Sequence, residues 1–291
     1  MYFSLSLFLT FLTPFLSRLS NTYSTNNINN LDTCKNLSLG TYNIHGLPRF
    51  ITLDPTYQRM ETITQKLLDP NTSYHFDVLN IQEDWTQHGN NILVSNLVVP
   101  QAIYFLPNYL TQDYTYSWSQ WLNDYKHDYS IFGSGLLQLS KIIPISTYSQ
   151  VFTKHYGYDD IWANKGFQLA QFSNIDIYNT HLDAGKTKGD QSARKENMQQ
   201  IIDFALQYSK NKAIIIAGDT NLYNNTIDNE TYDNLIFQLN LTEVTQRKHI
   251  DKIFIRNSPQ ATLSYPTVVI DDFDNLSDHK LTYFTVEFCY T

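Results

Sequence analysis

Charge is the scarcest commodity in this 291-residue chain. Only 16% of its residues are Asp, Glu, Lys or Arg, and acids outnumber bases 28 to 20, for a net charge of −8. That balance disfavours a broad basic footprint for nucleic acid. It does not exclude a nuclease, because a bound cation can neutralise phosphate locally. Cysteine is almost absent, with only Cys34 and Cys289. A thiolate metal site needs more. In an exported chain an even pair of cysteines can form a disulfide; otherwise they are two buried thiols. The expectation is a Cys34–Cys289 bridge, on condition that the first and last strands are neighbours. There is no Gly-x-Ser-x-Gly elbow and no Gly-x-x-x-x-Gly-Lys phosphate loop, which removes the common serine hydrolases and P-loop enzymes. No internal repeat is visible. No apolar run reaches the ~20 residues of a membrane-spanning helix.

The longest apolar stretch, Phe3 to Leu16, is interrupted by Ser4, Ser6, Thr10, Thr13 and Pro14. No base precedes it. Ser17, Ser20 and Ser24 offer small residues for cleavage, so residues 1–24 read as a secretory signal peptide. An uncleaved anchor is the other reading. Residues 25–36 are Asn-, Ser- and Thr-rich and read as a disordered lead-in, which leaves 37–291 as one catalytic domain. With 42% hydrophobic and 14% aromatic residues, that length can bury a large core.

The most informative stretch is Lys212-Ala-Ile-Ile-Ile-Ala-Gly-Asp-Thr-Asn221. A short Ile-rich run bounded by Gly218 reads as a buried strand over Ala213–Ala217. Asp219 and Asn221 follow at once, offering hard oxygens that suit Mg2+, polarised water or a phosphate. Taken alone, an Asx turn explains them as well. Other strand ends repeat the pattern. Leu37, Leu39 and Thr41 alternate up to Asn43, and an apolar strand from Asp77 ends at Glu83. Glu83 beside Asn43 makes half of an oxygen cradle for Mg2+. Strands are also expected at 133–140, 168–172, 175–182, 250–255 and 281–289. They bring His181 near one end, Asp251 to a start, and Asp278 and His279 to the approach of the last. Helices are expected over 59–68 and 192–208 from their apolar spacing. Tyr104–Tyr129, with Trp118 and Trp121, reads as irregular aromatic surface, and Ile142–Ile145 as a break. Oxygen donors dominate, so Mg2+ fits better than Zn2+. The chemistry suggested is metal-assisted attack of water on a phosphodiester.

The ordered set Tyr-Asn43, Gln-Glu83, Thr-His181-Leu, Gly-Asp219-x-Asn221, Ile-Asp251 and Ser-Asp278-His279 resembles the endonuclease/exonuclease/phosphatase superfamily over roughly 37–291. The resemblance implies an α+β fold, a four-layer α/β/β/α sandwich with two mixed sheets flanked by helices. It also implies roles. Glu83 and Asn43 would hold Mg2+ (or Mn2+ or Co2+), with Asp278 near the metal. His279 would be the general base oriented by Asp251. His181 would face the phosphoryl oxygens, and Asp219 and Asn221 would hold metal, water or phosphate. A second set, Asp160-x-x-x-Asn164-Lys165-Gly166-Phe167 with Ser192-Ala-Arg194, is similar to secreted bacterial-type sphingomyelinases. It implies that Asp160, Lys165 and Gly166 shape a phosphocholine site. The long apolar hairpin that some of those enzymes use to enter membranes is absent. The expectation is a secreted monomeric sphingomyelinase acting at a membrane surface. Alternatives are a secreted deoxyribonuclease-like endonuclease, with nucleic acid as substrate, and a non-catalytic binding protein on the same fold.

Overall fold

The computed structural model describes residues 34–47, 53–86, 133–157, 163–264 and 267–290, with short pieces at 89, 91–93, 97 and 116–120. The expected signal peptide, most of the lead-in and Asp160 lie outside the described residues. The described chain falls in one unit, Cys34–Thr291.

The first half of the architecture is built by β1 (Cys34–Asn43), α1 (Thr56–Leu68), β2 (Val78–Gln82), β3 (Tyr116–Gln120) and β4 (Leu136–Ser140). β5 (Ser146–Val151), β6 (Gly166–Gln171), β7 (Ile175–His181), α2 (Lys188–Tyr208) and β8 (Ala213–Asp219) come next. The chain closes with α3 (Thr226–Leu239), β9 (Thr242–Glu243), β10 (Asp251–Arg256), β11 (Ala261–Leu263), β12 (Val268–Asp271) and β13 (Leu281–Tyr290). One sheet runs β11-β13-β1-β2-β4-β3, with β12 also on β13; the other runs β5-β6-β7-β8-β10-β9. Both are mixed, as β1–β2 and β7–β8 are parallel and their neighbours antiparallel.

Three apolar clusters show how the layers stack. Leu39, Val78, Ile177, Ile215, Ile253 and Val286 fill the space between the sheets. Met60, Ile63 and Leu67 of α1 pack on Leu79, Ile81, Leu137 and Leu139. Met198, Ile201 and Ile202 of α2, with Leu235 and Leu239 of α3, cover Ile214, Ile216 and Phe254. Strand residues therefore alternate between the inter-sheet core and a helix layer, as a strand buried on both faces must. The result is the four-layer α/β/β/α sandwich.

Towards one end the inter-sheet layer turns polar. Asn80, Gln82, Gln138, Gln168 and Asn179 are all fully buried there. Asn80 Nδ2 donates to the carbonyls of Tyr178 (3.0 Å) and Ala217 (3.1 Å) in the opposite sheet. Asn179 Nδ2 donates back to Ile81 (3.0 Å) and Leu137 (3.1 Å). Gln82 Nε2 reaches Asn179 Oδ1 at 2.7 Å. These amides bond one sheet to the other, where apolar packing alone would tolerate sliding.

Each sheet contains a parallel β-α-β unit, β1-α1-β2 in one and β7-α2-β8 in the other. The two units form a structural repeat that the sequence does not display. Several expectations shift. β8 runs through Gly218 to Asp219, so the glycine lies inside the strand; a Cβ there would meet the Thr180 carbonyl oxygen at 2.1 Å. Helix α2 begins at Lys188 because Thr187 and Asp190 form a reciprocal capping box ahead of Ser192. β1 starts at Cys34, inside the stretch read as lead-in, and Tyr116–Gln120 is a strand within the stretch read as irregular. Cys34 lies opposite Cys289 on paired β1 and β13, and the two are disulfide-bonded.

Candidate active site

The site stands where the carboxyl ends of β1, β2, β7 and β8 meet, and strand register builds it. His181 pairs with Asp219 across the parallel β7–β8 ladder, and Asp219 pairs with Asp251 across the antiparallel β8–β10 ladder. Three polar residues on adjacent strands thus stand at one level. On the other sheet Asn43 pairs with Gln82, so Glu83 follows one residue beyond. Glu83 has φ +62, a conformation that non-glycine residues rarely adopt, and Asn221 has φ +48, which asparagine tolerates better.

Asn43 joins the two sheets at this level. Its Nδ2 donates to Glu83 Oε1 at 2.8 Å and to Asp219 Oδ2 at 3.0 Å, while its Oδ1 accepts from the His45 N–H at 3.0 Å. Expected as an oxygen donor beside Glu83, Asn43 instead turns its NH2 towards the two carboxylates. Asp219 is also 3.3 Å from His181 Nε2 and 3.7 Å from His279 Nε2. Burial opposes its charge, but His181, His279 and Lys165 together hold the Asp219 carboxyl far below the usual carboxylate range.

His279 and Asp251 form a dyad, with Nδ1 2.9 Å from Oδ2 and 3.0 Å from Oδ1. Burial favours neutral imidazole. The bond to Asp251 and the charges of Asp219, Asp251 and Glu83 outweigh it and push the His279 pKa up to about 10. Burial is the largest influence on Asp251 and raises it to about 6; His279 opposes and Asp219 reinforces. Between these values the proton sits on His279 and the charge on Asp251.

Lys165 is buried with its Nζ 2.8 Å from His181 Nε2 and 5.1 Å from the Trp85 ring, which stacks on the His181 ring at 6.1 Å. Gly166, expected beside it as a substrate contact, is buried in β6. A Cβ there would meet the Gln150 carbonyl oxygen at 2.3 Å, so the glycine permits close strand approach. Asn221 donates Nδ2 to the Leu182 carbonyl and accepts from Tyr223 Oη, both at 3.2 Å. Asp278 stands at the rim with its side chain 61% exposed, 3.4 Å from His45 Nδ1. His45 Nδ1 is also 3.6 Å from Glu83 Oε2, and Ser277 Oγ lies between Asp278 Oδ1 (3.2 Å) and the Asn43 carbonyl (2.7 Å), so Asp278 reaches the acid cluster through intermediaries.

At the site, two groups of three side chains bring their donor atoms within 4.8 Å of one another: Glu83, His181 and Asp219; and Asp219, Asp251 and His279. Carboxylate oxygens with imidazole and no thiolate fit a hard divalent cation. Glu83 and Asp219 are the oxygen donors that would hold it.

Sequence reasoning missed His45, Trp85 and Tyr223. His45 lies two residues past Asn43, but nothing in its spacing marks it. Trp85 and Tyr223 follow Glu83 and Asn221 by two residues, and only the fold turns them back over the site.

Residues 56–267 match Endonuclease/Exonuclease/phosphatase family 2. The chain belongs to this family. Its members are metal-dependent hydrolases. The matched region carries Glu83, His181, Asp219, Asn221 and Asp251, and stops short of Asp278 and His279. No curated protein matches the sequence. Among solved structures the fold is similar to a beta toxin variant from Staphylococcus aureus with bound magnesium ions (17% identity, 88% of this chain, 100% of that one, TM-score 0.61). It is similar to sphingomyelinase C from Streptomyces griseocarneus (15%, 88%, 100%, TM-score 0.58). It is also similar to an endonuclease/exonuclease/phosphatase from Bacteroides vulgatus (13%, 87%, 98%, TM-score 0.61). At these identities the likeness is one of fold.

Proposed function

We propose that the protein is an exported, Mg2+-dependent phosphodiesterase whose substrate is sphingomyelin, cleaved at a membrane surface to ceramide and phosphocholine. The observation that carries the hydrolase chemistry is the apposition of the Glu83–Asp219 acid pair to the His279–Asp251 dyad. A bound Mg2+ would supply charge neutralisation at a phosphoryl oxygen. The remaining work belongs to side chains. With the charges of Glu83 and Asp219 offset by such a cation, His279 would lose the proton they hold on it and could take one from water at Nε2, while Asp251, bonded to Nδ1, fixes the tautomer and stabilises the imidazolium formed. His181, with Lys165 against it, would stabilise charge on phosphoryl oxygens. Asn221 is held by Leu182 and Tyr223 at the edge of the same space. Support for the lipid comes from the fold of sphingomyelinase C, the overall acidity and the buried Lys165. The disulfide supports export, since such bonds persist in oxidising compartments.

A second reading has its own observation. A cleft of about 510 Å³ beside His279 is lined by Lys248, His249, Lys280 and Tyr223. Burial, together with the charges of Lys248, Lys252 and Lys280, holds His249 below the ordinary histidine range. Those lysines would meet a second phosphate, as in a nucleic-acid backbone, beside Asp251 and Asp278 in the same wall. Purified protein assayed in parallel on sphingomyelin liposomes and plasmid DNA, with and without EDTA, separates the readings. EDTA-sensitive phosphocholine release supports the first. DNA nicking without lipid cleavage overturns it in favour of the second.

A further inference from the structure

Two arginines outside the reacting cluster hold its loops. Arg194 on α2 is fully buried. Its Nε and Nη2 donate to Asp228 Oδ1 and Oδ2 at 2.9 and 3.0 Å. Its Nη1 donates to three successive carbonyls, Asp183 (3.1 Å), Ala184 (3.3 Å) and Gly185 (2.9 Å). Those carbonyls belong to the loop that leaves His181. Asp228 lies in the first turn of α3, whose N-cap is Asn225, and accepts from the Tyr223 N–H at 3.1 Å; Tyr223 Oη donates to Asn221. One guanidinium therefore grips the loop after β7 directly and the loop after β8 through Asp228.

Arg59 does the equivalent on the other sheet. It lies on α1, the helix of the first β-α-β unit, as Arg194 lies on that of the second. Its Nη1 donates to the carbonyls of Ile44 and Leu276 (2.9 Å), and its Nη2 to that of His45 (2.7 Å). Ile44 and His45 follow Asn43; Leu276 precedes Asp278 and His279. Again one guanidinium spans two loops that carry site residues. Backbone carbonyls carry no net charge and accept along fixed directions. A planar, rigid fork of five N–H donors can bond several at once, whereas a lysine ammonium is a point donor.

We infer that Arg59 and Arg194 are positioning residues, each setting one half of the active site by clamping two loops at the site end of its own sheet. Arg194 sets His181 and Asn221; Arg59 sets Asn43 and His279. Neither needs to touch substrate. The kinetic part of this inference rests on the phosphodiesterase reading, and the structural part does not.

The test is amide hydrogen exchange on full-length wild type, Arg59→Lys, Arg194→Lys and Asp228→Asn, followed by kinetics on bis(p-nitrophenyl) phosphate with Mg2+. Arg194→Lys is expected to speed exchange at 181–187 and 219–225 and to leave 43–47 and 273–279 as in wild type. Arg59→Lys should do the reverse. Asp228→Asn keeps the carbonyl grip, so it should loosen 219–225 and spare 181–187, and it stands in if Arg194→Lys does not fold. In both lysine variants kcat should fall about 10- to 100-fold, the scale of small misplacements of reacting groups, with KM changed far less. Exchange that rises equally in all four segments would show general destabilisation and overturn the inference. So would unchanged exchange in a variant's own two loops. A wild-type protein inert on every phosphodiester would sink the proposed function while leaving the exchange result to judge the clamps.

Discussion

At the scale of the residue, the site couples protonation to cation binding. Glu83 and Asp219 raise the His279 pKa, and they are also the oxygens that fit a divalent cation. Glu83→Gln keeps the shape and removes one charge. It should weaken Mg2+ binding by calorimetry at least tenfold and cut turnover by orders of magnitude, with the thermal midpoint nearly unchanged; normal turnover at ordinary Mg2+ would refute the role. His279 gives a pH prediction for chelator-treated protein. Its folded pKa, about 10, lies above the ordinary 6.5. Its contribution to stability is therefore fully present below about pH 6.5 and lost as pH rises towards 10. Asp251, raised from 3.8 to about 6, loses its contribution in the same direction over a lower window. Thermal midpoints measured from pH 6 to 10 should fall more steeply in wild type than in His279→Asn, and parallel curves would contradict the account. The polar residues at strand ends were readable in sequence because short apolar runs stopping at acids and amides are conspicuous. Their orientation was not. Whether Asn43 offers oxygen or NH2 depends on the His45 backbone, and whether Asp278 enters the site depends on a side chain standing between it and Glu83.

At the scale of the element, register decides what meets what. A one-residue slip of β7 against β8 would carry His181 away from Asp219 and reverse its face. The inter-sheet amides guard against the equivalent slip between sheets. Asn179→Leu is close in volume but deletes two cross-sheet donations and the acceptor for Gln82. Losing those bonds in a buried layer, with Thr41 Oγ1 left as the acceptor for Gln82, should cost about 2 kcal/mol or more in urea denaturation; a loss below about 0.5 kcal/mol would show the layer to be adaptable. The strands of the inner sheets were legible because Ile, Val and Leu crowd them. Helix α3 was not. Its buried positions are Asp228, Thr231, Leu235 and Leu239, half of them polar, while Phe237 points outwards at 83% exposure. Apolar spacing cannot find a helix whose first buried turn is made of capping and hydroxyl groups. β5 escaped for a related reason: Ser-Thr-Tyr-Ser-Gln-Val on a sheet edge carries no alternation. The repeat of β-α-β units is invisible in sequence because the two copies share geometry and an arginine on the helix, and little else.

At the scale of the whole molecule, the disulfide and the site occupy opposite ends of the sheets. Cys34 opens β1 and Cys289 lies near the end of β13, while Asn43 and Leu281 stand at the other end of the same pair. The bridge closes a loop of sequence separation 255. Replacing both cysteines with serine should lower stability by about 2–5 kcal/mol, chiefly by freeing the unfolded chain. Magnesium affinity and kcat at low temperature should be unchanged, since the site stands at the far end of the β1–β13 pair. A large loss of Mg2+ affinity in the folded double variant would contradict this separation. The closed loop also has a topological consequence. With Cα atoms 4.0 Å apart at Cys34 and Cys289, the domain is in effect a ring of chain, and a ring has no privileged beginning. Joining those positions by a short peptide and opening the ring at the exposed turn around Ile143 would give new termini at the same pole, far from the chemistry. The order in which the strands are synthesised would change, and the order in which they lie would not.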